Sequence, residues 1–490
     1  MKKFAFPENI TIHPLLFALH PVLFLYQINI NKVNPGDIIL PLVLAFSGAV
    51  VLWALLSIVT RRIIKAGLTV SLLLILFFSY GHVFALTRDK VVFQLMVNHR
   101  LLLPLWSGLF LIASLLIWRS SARYLLINKA ANFISGLLVL LCAATIAVNF
   151  WGKSDNKSGL MTNTTSAAPG SIKTISSSTL PDVYFITLDS YAGGTTLEEF
   201  YHESNGDFIN ALKTRKFYVA NQSYSNYDNT MPSLASTLNM AYINNVYAED
   251  KSAEKQFVRL AAMIDNSAAA GFLKSKGYQI HFINSPAKPK QLDFVDMLFD
   301  TTALAYWHTR GAYRRHALST FEELRNVIKV PGPKFVFAHS DVPHSPFVFG
   351  ANCQPINAGF TDKKPDGTEK SNRYYLDQLF CVNKLVLPLI DEILTQSPVK
   401  PVIVLAADHG LPVGTAGVPS GAIRNRLNII NAYYLPEGIS TRLYNSISPV
   451  NTFRFIIGQY FGGGFPLLPD EHYTILWSKL SGKLTKVDTR

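Results

Sequence analysis

The chain has 490 residues, which is enough for two or three domains with full hydrophobic cores. Hydrophobic residues make up 49% and charged residues only 16%, so the composition excludes an ordinary soluble enzyme and indicates a membrane portion. The net charge of +13 would suit nucleic-acid binding, but the sequence has no zinc-finger spacing, basic region before heptads or aromatic RNA-binding signature. Basic loops beside anionic lipids explain the charge more simply. We therefore expect the protein to associate with a membrane and not with nucleic acid.

The first third of the chain contains five long apolar segments, and each approaches the roughly 20 residues that a membrane-spanning helix needs. A buried helical domain of a soluble protein is the alternative. We predict a transmembrane domain of five helices over residues 1–151. The segments lie near residues 12–30, 38–60, 66–86, 101–118 and 131–151.

Basic residues in alternate connections predict the orientation of these helices. A smaller basic group at Arg88, Lys90 and Arg100 lies on the opposite side. The positive-inside rule makes the richer side cytoplasmic, so five crossings place the long C-terminal part outside the cytoplasm of a bacterial inner, or plasma, membrane. The richer groups are Lys2 and Lys3, then Arg61, Arg62 and Lys65, then Arg119, Arg123 and Lys129.

Residues 152–180 are rich in Ser, Thr, Gly and Asn and lack periodicity, which is typical of a linker. In residues 181–490, short apolar runs alternate with helical patterns. This alternation predicts the α/β class, with a mostly parallel sheet and helices on both faces. We predict strands over 182–189, 217–220, 278–283, 334–338, 402–406 and 428–434, and helices over 197–213, 233–240, 259–276 and 374–394.

Two of these strands end in candidate metal ligands. The run DVYFITLD ends at Asp189, and PVIVLAADHG ends at Asp408 and His409. In open α/β sheets the chemistry lies beyond the carboxyl ends of the strands, and a carboxylate beside an imidazole can bind a divalent metal there. A helix cap or a surface Asp–His pair is the alternative.

Further candidate site residues lie beside other predicted strands and helices. Thr230 precedes Pro232 at a predicted helix start, where backbone N–H groups favour an anion, although it could be only an N-cap. His344 lies in a Pro-flanked loop after a strand and could contact a substrate or be merely solvated. Arg424 and Arg426 could hold an anionic substrate or lie in a solvated loop.

The three cysteines leave one question open. Cys142 lies in an apolar segment and is expected to be inert. Cys353 and Cys381 could pair if their domain is extracytoplasmic, and two free buried thiols are the alternative.

Together the motifs resemble the alkaline phosphatase and sulfatase superfamily. The resemblance rests on Asp189 after a strand, T-M-P-S-L-A-S at Thr230, D-V-P-H-S-P-F at His344, and Asp408-His409-Gly410. With five preceding membrane segments, the chain is similar to the membrane-anchored branch, which includes lipoteichoic-acid synthases and phosphoethanolamine transferases.

The resemblance implies roles for these residues. Asp189, Thr230, Asp408 and His409 would hold one divalent metal, Mn, Zn or Mg, and Thr230 would also be the nucleophile. His344 would contact the substrate or leaving group. The implied activity is transfer of a phospholipid head group to a cell-envelope acceptor through phospho-Thr230.

Two departures from the sulfatase pattern favour phosphoryl transfer. Leu234 stands where sulfatases have Arg, and Ser190 follows Asp189 where they usually have a second Asp. Phosphoethanolamine transferases carry a second His after the Asp-His-Gly motif for an additional metal, and residues 410–430 of this chain contain none. A hydrolase of phosphate or sulfate esters and a non-catalytic lipid-binding regulator of the envelope are the alternative functions.

Overall fold

The computed structural model describes residues 10–30, 33, 35–87, 91–92, 95–96, 99–121, 123–152, 180–250, 252–287, 294–356, 369–410, 420–436, 442–462, 464–477 and 482–489. These residues form two compact units. The first, the helical unit, contains the five N-terminal helices and residues 294–312. The second, the catalytic unit, contains the other described residues from 180 onward. The predicted linker over 152–180 lies almost wholly outside the described residues.

The helical unit contains four helices that are long and apolar enough to cross a membrane. The first helix has 16 residues and therefore spans about 24 Å, less than the roughly 30 Å of a bilayer core. The five predicted segments thus correspond to four helices of spanning length and one shorter helix. They are α1 His13–Ile28, α2 Ile39–Thr60, α3 Ile63–Thr87, α4 His99–Arg119 and α5 Arg123–Gly152, with strands β1 Val91–Val92 and β2 Leu95–Met96 between α3 and α4.

Buried polar side chains join three of these helices. The imidazole of His13 on α1 is fully buried, and its Nδ1 lies 2.5 Å from the hydroxyl of Ser71 on α3. Its Nε2 lies 3.1 Å from Oδ1 of Asn128 on α5. Lipid chains are as apolar as helix surfaces, so polar contacts of this kind help to fix which helix faces meet.

The remaining elements lie in the catalytic unit and in residues 294–312, which belong to the helical unit. The helices are α6 Gly194–Tyr201, α7 Gly206–Thr214, α8 Thr230–Asn239, α9 Asn244–Glu249, α10 Ala253–Asp265, α11 Ala268–Ser275, α12 Phe294–Asp300, α13 Ala305–Ile328, α14 Glu369–Gln396, α15 Ser420–Leu427 and α16 Thr452–Phe461. The strands are β3 Val183–Leu188, β4 Tyr218–Val219, β5 Gln279–Ile283, β6 Lys334–Ser340, β7 Val402–Ala406, β8 Asn431–Tyr434, β9 His472–Trp477 and β10 Gly482–Val487.

Six strands form one sheet in the order β4-β8-β7-β3-β6-β5. The four strands from β7 to β5 are parallel, whereas β8 runs antiparallel to β7 and β4 antiparallel to β8. Separate hydrophobic clusters cover the two faces, because alternate strand residues point to opposite sides. The prediction of an α/β fold with a mostly parallel sheet is confirmed.

Two predicted helices are each divided in the structure. The segment over 197–213 forms α6 and α7, because His202 adopts a left-handed φ of 55° and ends α6. The segment over 259–276 forms α10 and α11, because Ser267 has an extended ψ of 146°. Apolar periodicity continues through both breaks, so the pattern alone could not show them.

Residues 294–304 pack against the apolar helices of the helical unit. The backbone N–H of Gly81 on α3 donates to the carbonyl of Thr301, at 2.9 Å. The N–H of Ala303 donates to the carbonyl of Phe77, at 3.0 Å. A Cβ at position 81 would lie 1.9 Å from a backbone oxygen of the segment, so this approach requires glycine.

Cys353 and Cys381 form a disulfide with a Cα–Cα distance of 4.8 Å, which settles the question that the sequence left open. The disulfide joins the loop after β6 to helix α14. Cys142 is free and buried.

Candidate active site

Polar residues from three adjacent strands meet at the carboxyl edge of the sheet. Asp189 directly follows β3, and its N–H donates to the carbonyl of Ser340 at the end of β6, at 2.9 Å. Asp408 and His409 follow β7, which pairs with the other side of β3. His339 lies at the penultimate position of β6. The parallel register therefore brings two predicted carboxylates together with two imidazoles.

One oxygen of Asp408 is held by backbone groups, whereas the other has imidazole nitrogens 3.7 and 3.9 Å away but no hydrogen bond within the described residues. Oδ1 accepts hydrogen bonds from the N–H groups of Ser190, at 3.2 Å, and His409, at 2.8 Å. Oδ2 is buried and has no hydrogen-bond partner within the described residues. A buried carboxylate oxygen without a partner is costly, and a cation would satisfy it.

The ring of His409 presents its Nε2 to the two carboxylates. Its Nδ1 donates to the carbonyl of Gly410 at 2.7 Å, so Nε2 of the neutral ring carries a lone pair. This Nε2 lies 3.6 Å from Oδ1 of Asp189 and 3.7 Å from Oδ2 of Asp408. Burial lowers the pKa of His409 to about 4 and keeps the ring neutral. These features suit a metal ligand.

Thr230 also lies beside His409, although it follows none of these strands. It is the first residue of α8, and its Oγ1 lies 3.4 Å from Nε2 of His409. The start of α8 is fixed by buried Asp228, whose Oδ2 accepts a hydrogen bond from the hydroxyl of Thr474 at 2.6 Å. The hydroxyl of Thr230 is therefore held at a helix N-terminus, where free N–H groups and the helix dipole favour an anion.

His339 belongs to the site but was not among the residues expected from sequence. Its Nε2 lies 3.9 Å from Oδ2 of both Asp189 and Asp408, and its Nδ1 lies 3.6 Å from Oδ1 of Asp341. Asp189, His339 and Asp408 offer ligand atoms within 4.8 Å of one another and could hold a metal ion. The signal was its position directly after the strand predicted over 334–338, five residues before His344, but only His344 was taken as a candidate there.

The electrostatics of the cluster favour a divalent cation. Burial and the charge of Asp408 raise the pKa of Asp189 to about 7. Burial also acts to raise the pKa of Asp408, but the imidazoles of His409 and His339 outweigh it and lower that pKa. Burial lowers the pKa of His339, but the nearby carboxylates raise it to about 10 overall. Two crowded carboxylates with an available imidazole nitrogen fit a divalent metal.

His344 lies beside this cluster. Its ring centroid is 6.5 Å from that of His409, and its Nδ1 donates to the carbonyl of Ser345 at 2.6 Å. The buried amide of Gln378 on α14 donates to the carbonyl of His344 at 2.8 Å. Gln378 therefore holds the backbone of the loop, and the imidazole of His344 lies near the cluster.

The two arginines have different surroundings. Arg426 is buried, and its Nε donates to the carbonyl of Asp228 at 2.8 Å. Burial lowers the pKa of its guanidinium, against the opposing charges of Asp228, Asp408 and Asp189. Arg424 instead donates to the hydroxyl of Tyr224 at 3.2 Å and lies over that ring. Arg426 is thus close enough to interact with the cluster, whereas the contacts of Arg424 are with Tyr224.

Carboxylates, imidazoles and a helix-terminal hydroxyl at the carboxyl edge of a parallel sheet form a candidate metal-binding site in an α/β fold. A family model described as Sulfatase matches residues 181–446, and the chain belongs to this family. The protein is therefore an enzyme of the sulfatase-like hydrolase or transferase type, and the resemblance inferred from its motifs is confirmed.

The solved structures that match this chain include transferase and sulfatase domains. The C-terminal periplasmic domain of EcEptC from Escherichia coli, in complex with Zn, is 14% identical, with a TM-score of 0.43 over 64% of this chain and 94% of that chain. The putative sulfatase yidJ from Bacteroides fragilis is 14% identical, with a TM-score of 0.43 over 63% and 84%. The C-terminal periplasmic domain of phosphoethanolamine transferase EptC from Campylobacter jejuni is 13% identical, with a TM-score of 0.36 over 58% and 90%. A comparison with curated proteins gave no match.

Proposed function

We propose that the protein is a membrane-bound, metal-dependent phosphotransferase that moves a phospholipid head group to a cell-envelope acceptor through a phosphorylated Thr230. The observation that carries this proposal is the 3.4 Å separation between Oγ1 of Thr230 and Nε2 of His409. It supports Thr230 as the nucleophile, because its hydroxyl lies beside a buried carboxylate and imidazole cluster and at the start of a helix.

Asp189, Asp408, His409 and Thr230 would together hold one divalent metal, which we take to be Mn, Zn or Mg. When bound, this metal lowers the pKa of a hydroxyl and neutralises charge that develops on phosphate oxygens. His339 lies next to Asp189 and Asp408 on the β6 side of the cluster, and as an imidazolium it offsets their charge. The backbone N–H groups of Ser190 and His409 orient the carboxylate of Asp408.

The proposed reaction has two steps. In the first, Oγ1 of Thr230 forms a bond to phosphorus as the bond from phosphorus to the diacylglycerol oxygen breaks. Water takes the hydroxyl proton of Thr230, and water supplies the proton that the diacylglycerol oxygen gains. Nδ1 of His344 donates to the carbonyl of Ser345, so Nε2 of the neutral ring carries a lone pair and would accept a hydrogen bond from the released hydroxyl. In the second step, an acceptor hydroxyl attacks the phosphorus as the bond to Thr230 breaks, the acceptor's proton passes to water, and Oγ1 of Thr230 takes a proton from water.

The anionic ester would be held by cationic groups around the cluster. Arg426 is the stronger candidate because its charge interacts with Asp408 and Asp189. Arg424 is the weaker candidate because its guanidinium contacts Tyr224. Leu234 is 1% exposed and packs in the hydrophobic core of the unit, so this position supplies no cation for a sulfate ester. These environments support a phospholipid substrate.

We place the protein in a bacterial inner membrane with the catalytic unit outside the cytoplasm. The basic residues between α2 and α3 and between α4 and α5 support this orientation. The disulfide between Cys353 and Cys381 also supports it, because disulfides persist in oxidising compartments. A domain on that side can reach lipid head groups and envelope acceptors.

Hydrolysis of phosphate or sulfate esters is the second candidate, because the matching family model is Sulfatase. The two functions share the nucleophile and differ only in the final acceptor, which is water in a hydrolase. Product formation in the absence of a hydroxyl-bearing acceptor lipid would favour hydrolysis.

The test uses the full chain in detergent with Mn²⁺ and vesicles of phosphatidylethanolamine or phosphatidylglycerol. Diacylglycerol release is measured with and without a glycolipid that has free sugar hydroxyls. We expect release to depend on the glycolipid and to be lost in Thr230→Ala and on chelation. Thr214→Ala, an exposed change on α7, should retain activity. Equal release by wild-type protein and Thr230→Ala would refute the proposal.

A further inference from the structure

A cavity of about 510 Å³ lies at the end of the helical unit that carries the basic connections, far along the chain from every candidate catalytic residue. It is formed where α3 begins, where α4 ends and where α5 begins. We call it the basic cavity. Its lining residues are Arg62, Ile63, Ile64, Lys65, Trp118, Arg119, Ser120, Ser121 and Tyr124.

The basic cavity has a positive charge that its own lining does not balance. Arg62, Lys65 and Arg119 contribute three cations, and no carboxylate is among the described residues that line it. The side chains of Arg62 and Arg119 are exposed and have no ion pair with any described residue. The unbalanced positive charge therefore attracts an anion from outside the protein.

Lys65 is the buried part of the lining, with 5% of its surface exposed. Its ammonium donates to the carbonyl of Trp118 at 3.0 Å and to that of Ser120 at 2.6 Å. These bonds satisfy carbonyls at the end of α4 and use two of the three ammonium donors. The ring of Tyr124 lies 5.0 Å from the same nitrogen. Lys65 thus holds the wall of the cavity and adds positive charge to it.

The start of α3 adds further donors to the basic cavity. Its first backbone hydrogen bond runs from Ala66 to Arg62, at 2.9 Å. The N–H groups of Ile63, Ile64 and Lys65 precede this bond and have no partner within the helix. They strengthen an anion site that the cavity and its arginines already define.

The surroundings favour an anion that carries acyl chains. Trp118 and Tyr124 are the residue types that occupy the head-group level of a bilayer. Apolar side chains beside the cavity are widely exposed, with 60% for Ile63, 65% for Leu116 and 71% for Leu126. A phospholipid with its phosphate in the cavity could therefore extend its acyl chains along these helices.

We infer that the basic cavity binds the phosphate of an anionic phospholipid in the cytoplasmic leaflet, at a site separate from the catalytic cluster. Arg62 and Arg119 contact the phosphate oxygens, because guanidinium groups match phosphate geometry. The binding requires neither Thr230 nor a metal, so it is independent of the proposed reaction.

The test is native mass spectrometry of the full chain released from detergent. The protein is titrated with dioleoyl phosphatidylglycerol or with dioleoyl phosphatidylcholine, which has the same chains but no net charge. We expect wild-type protein to retain phosphatidylglycerol more tightly. The double variant Arg62→Gln, Arg119→Gln should weaken phosphatidylglycerol binding by about 10- to 30-fold. Each arginine near the membrane surface strengthens the binding of an anionic lipid by about fivefold.

Arg61→Gln is the matched control, because Arg61 is exposed and adjacent but does not line the cavity. It should weaken binding by less than about fivefold, the effect of one charge near the membrane surface, because it removes no cavity contact. Lys65 is left unchanged so that the end of α4 stays capped, and thermal unfolding of each variant checks its folding. Equal binding by the double variant and wild-type protein would overturn the inference.

A separate arm distinguishes a lipid from free phosphate. Inorganic phosphate is added at millimolar concentration to protein loaded with phosphatidylglycerol. We expect the lipid to remain bound, because its acyl chains add apolar burial to the phosphate contacts. Complete displacement by phosphate would assign the cavity to a soluble anion and contradict the lipid assignment.

Discussion

Oγ1 of Thr230 lies 3.4 Å from Nε2 of His409, although 179 residues separate them in the chain. The parallel pairing of β3 with β7 brings His409 beside Asp189, and the anchored start of α8 brings Thr230 to the same point. A hydroxyl, an imidazole and two carboxylates thus converge without being close in sequence. The predictions below test this arrangement one feature at a time.

Asp408→Asn should weaken metal binding by about 10- to 100-fold, because its unpaired Oδ2 would no longer carry charge. The measurement is competition with a fluorescent chelator for Zn²⁺ or Mn²⁺ at fixed pH. Asp207→Asn, an exposed change in the first turn of α7, is the control and should bind metal as wild-type protein does. Unchanged affinity in Asp408→Asn would place the metal elsewhere.

Gly410→Ala should destabilise the site. An added Cβ would lie 2.5 Å from the carbonyl oxygen of Asn428 and 2.9 Å from that of Arg426, and these backbone groups cannot move easily. We expect a loss of about 1–3 kcal/mol in the free energy of unfolding and weaker metal binding, because His409 would be displaced. Gly271→Ala on α11 has open space at its Cβ and should be tolerated. Calorimetry of both variants tests the contrast.

The metal-free protein should lose stability as the pH rises above neutral. Folding raises the pKa of His339 from 6.5 to about 10, because three carboxylates outweigh the effect of burial. Its stabilising contribution is therefore complete below pH 6.5 and is lost as the pH rises toward 10, by up to about 1.4 kcal/mol per pH unit. Thermal unfolding in EDTA from pH 7 to 9.5 should show a shallower decline for His339→Gln. Parallel profiles would contradict the proposed charge on His339.

Loss of the disulfide should destabilise the catalytic unit by about 3–4 kcal/mol in the chain-entropy model, because the unfolded chain gains freedom. The residues concerned, Cys353 and Cys381, are 28 positions apart. Reductant should lower the unfolding temperature of wild-type protein and have no effect on the Cys353→Ser, Cys381→Ser double variant. Reaction of non-reduced wild-type protein with a maleimide at either cysteine would show that the bond does not form.

The sequence predicted the sheet well because its strands are continuous apolar runs with clear ends. The strand predicted over 402–406 agrees with β7, and that over 182–189 differs from β3 by one residue at each end. The role of His339 was missed because, although it directly follows the strand predicted over 334–338, its position does not show which strand lies beside it. Only the register of β6 beside β3 brings it to Asp189.

The packing of residues 294–304 on the apolar helices could not be predicted either. It depends on backbone hydrogen bonds to Phe77 and Gly81, which leave almost no trace in the side-chain pattern. Nothing in the segment's own sequence indicates which helices it contacts. Gly81 is the one local signal, since glycine inside a helix often marks a close approach of another chain segment.

The most direct test of the account is the intact mass of the full chain after incubation with Mn²⁺ and vesicles of phosphatidylethanolamine or phosphatidylglycerol, followed by rapid acid quenching. We predict an adduct with the mass of the phosphorylated head group on wild-type protein and on Thr214→Ala. Thr230→Ala should bind metal but show no adduct. An adduct that persists in Thr230→Ala, or no adduct on metal-loaded wild-type protein with either lipid, would contradict the assignment of Thr230 as the nucleophile.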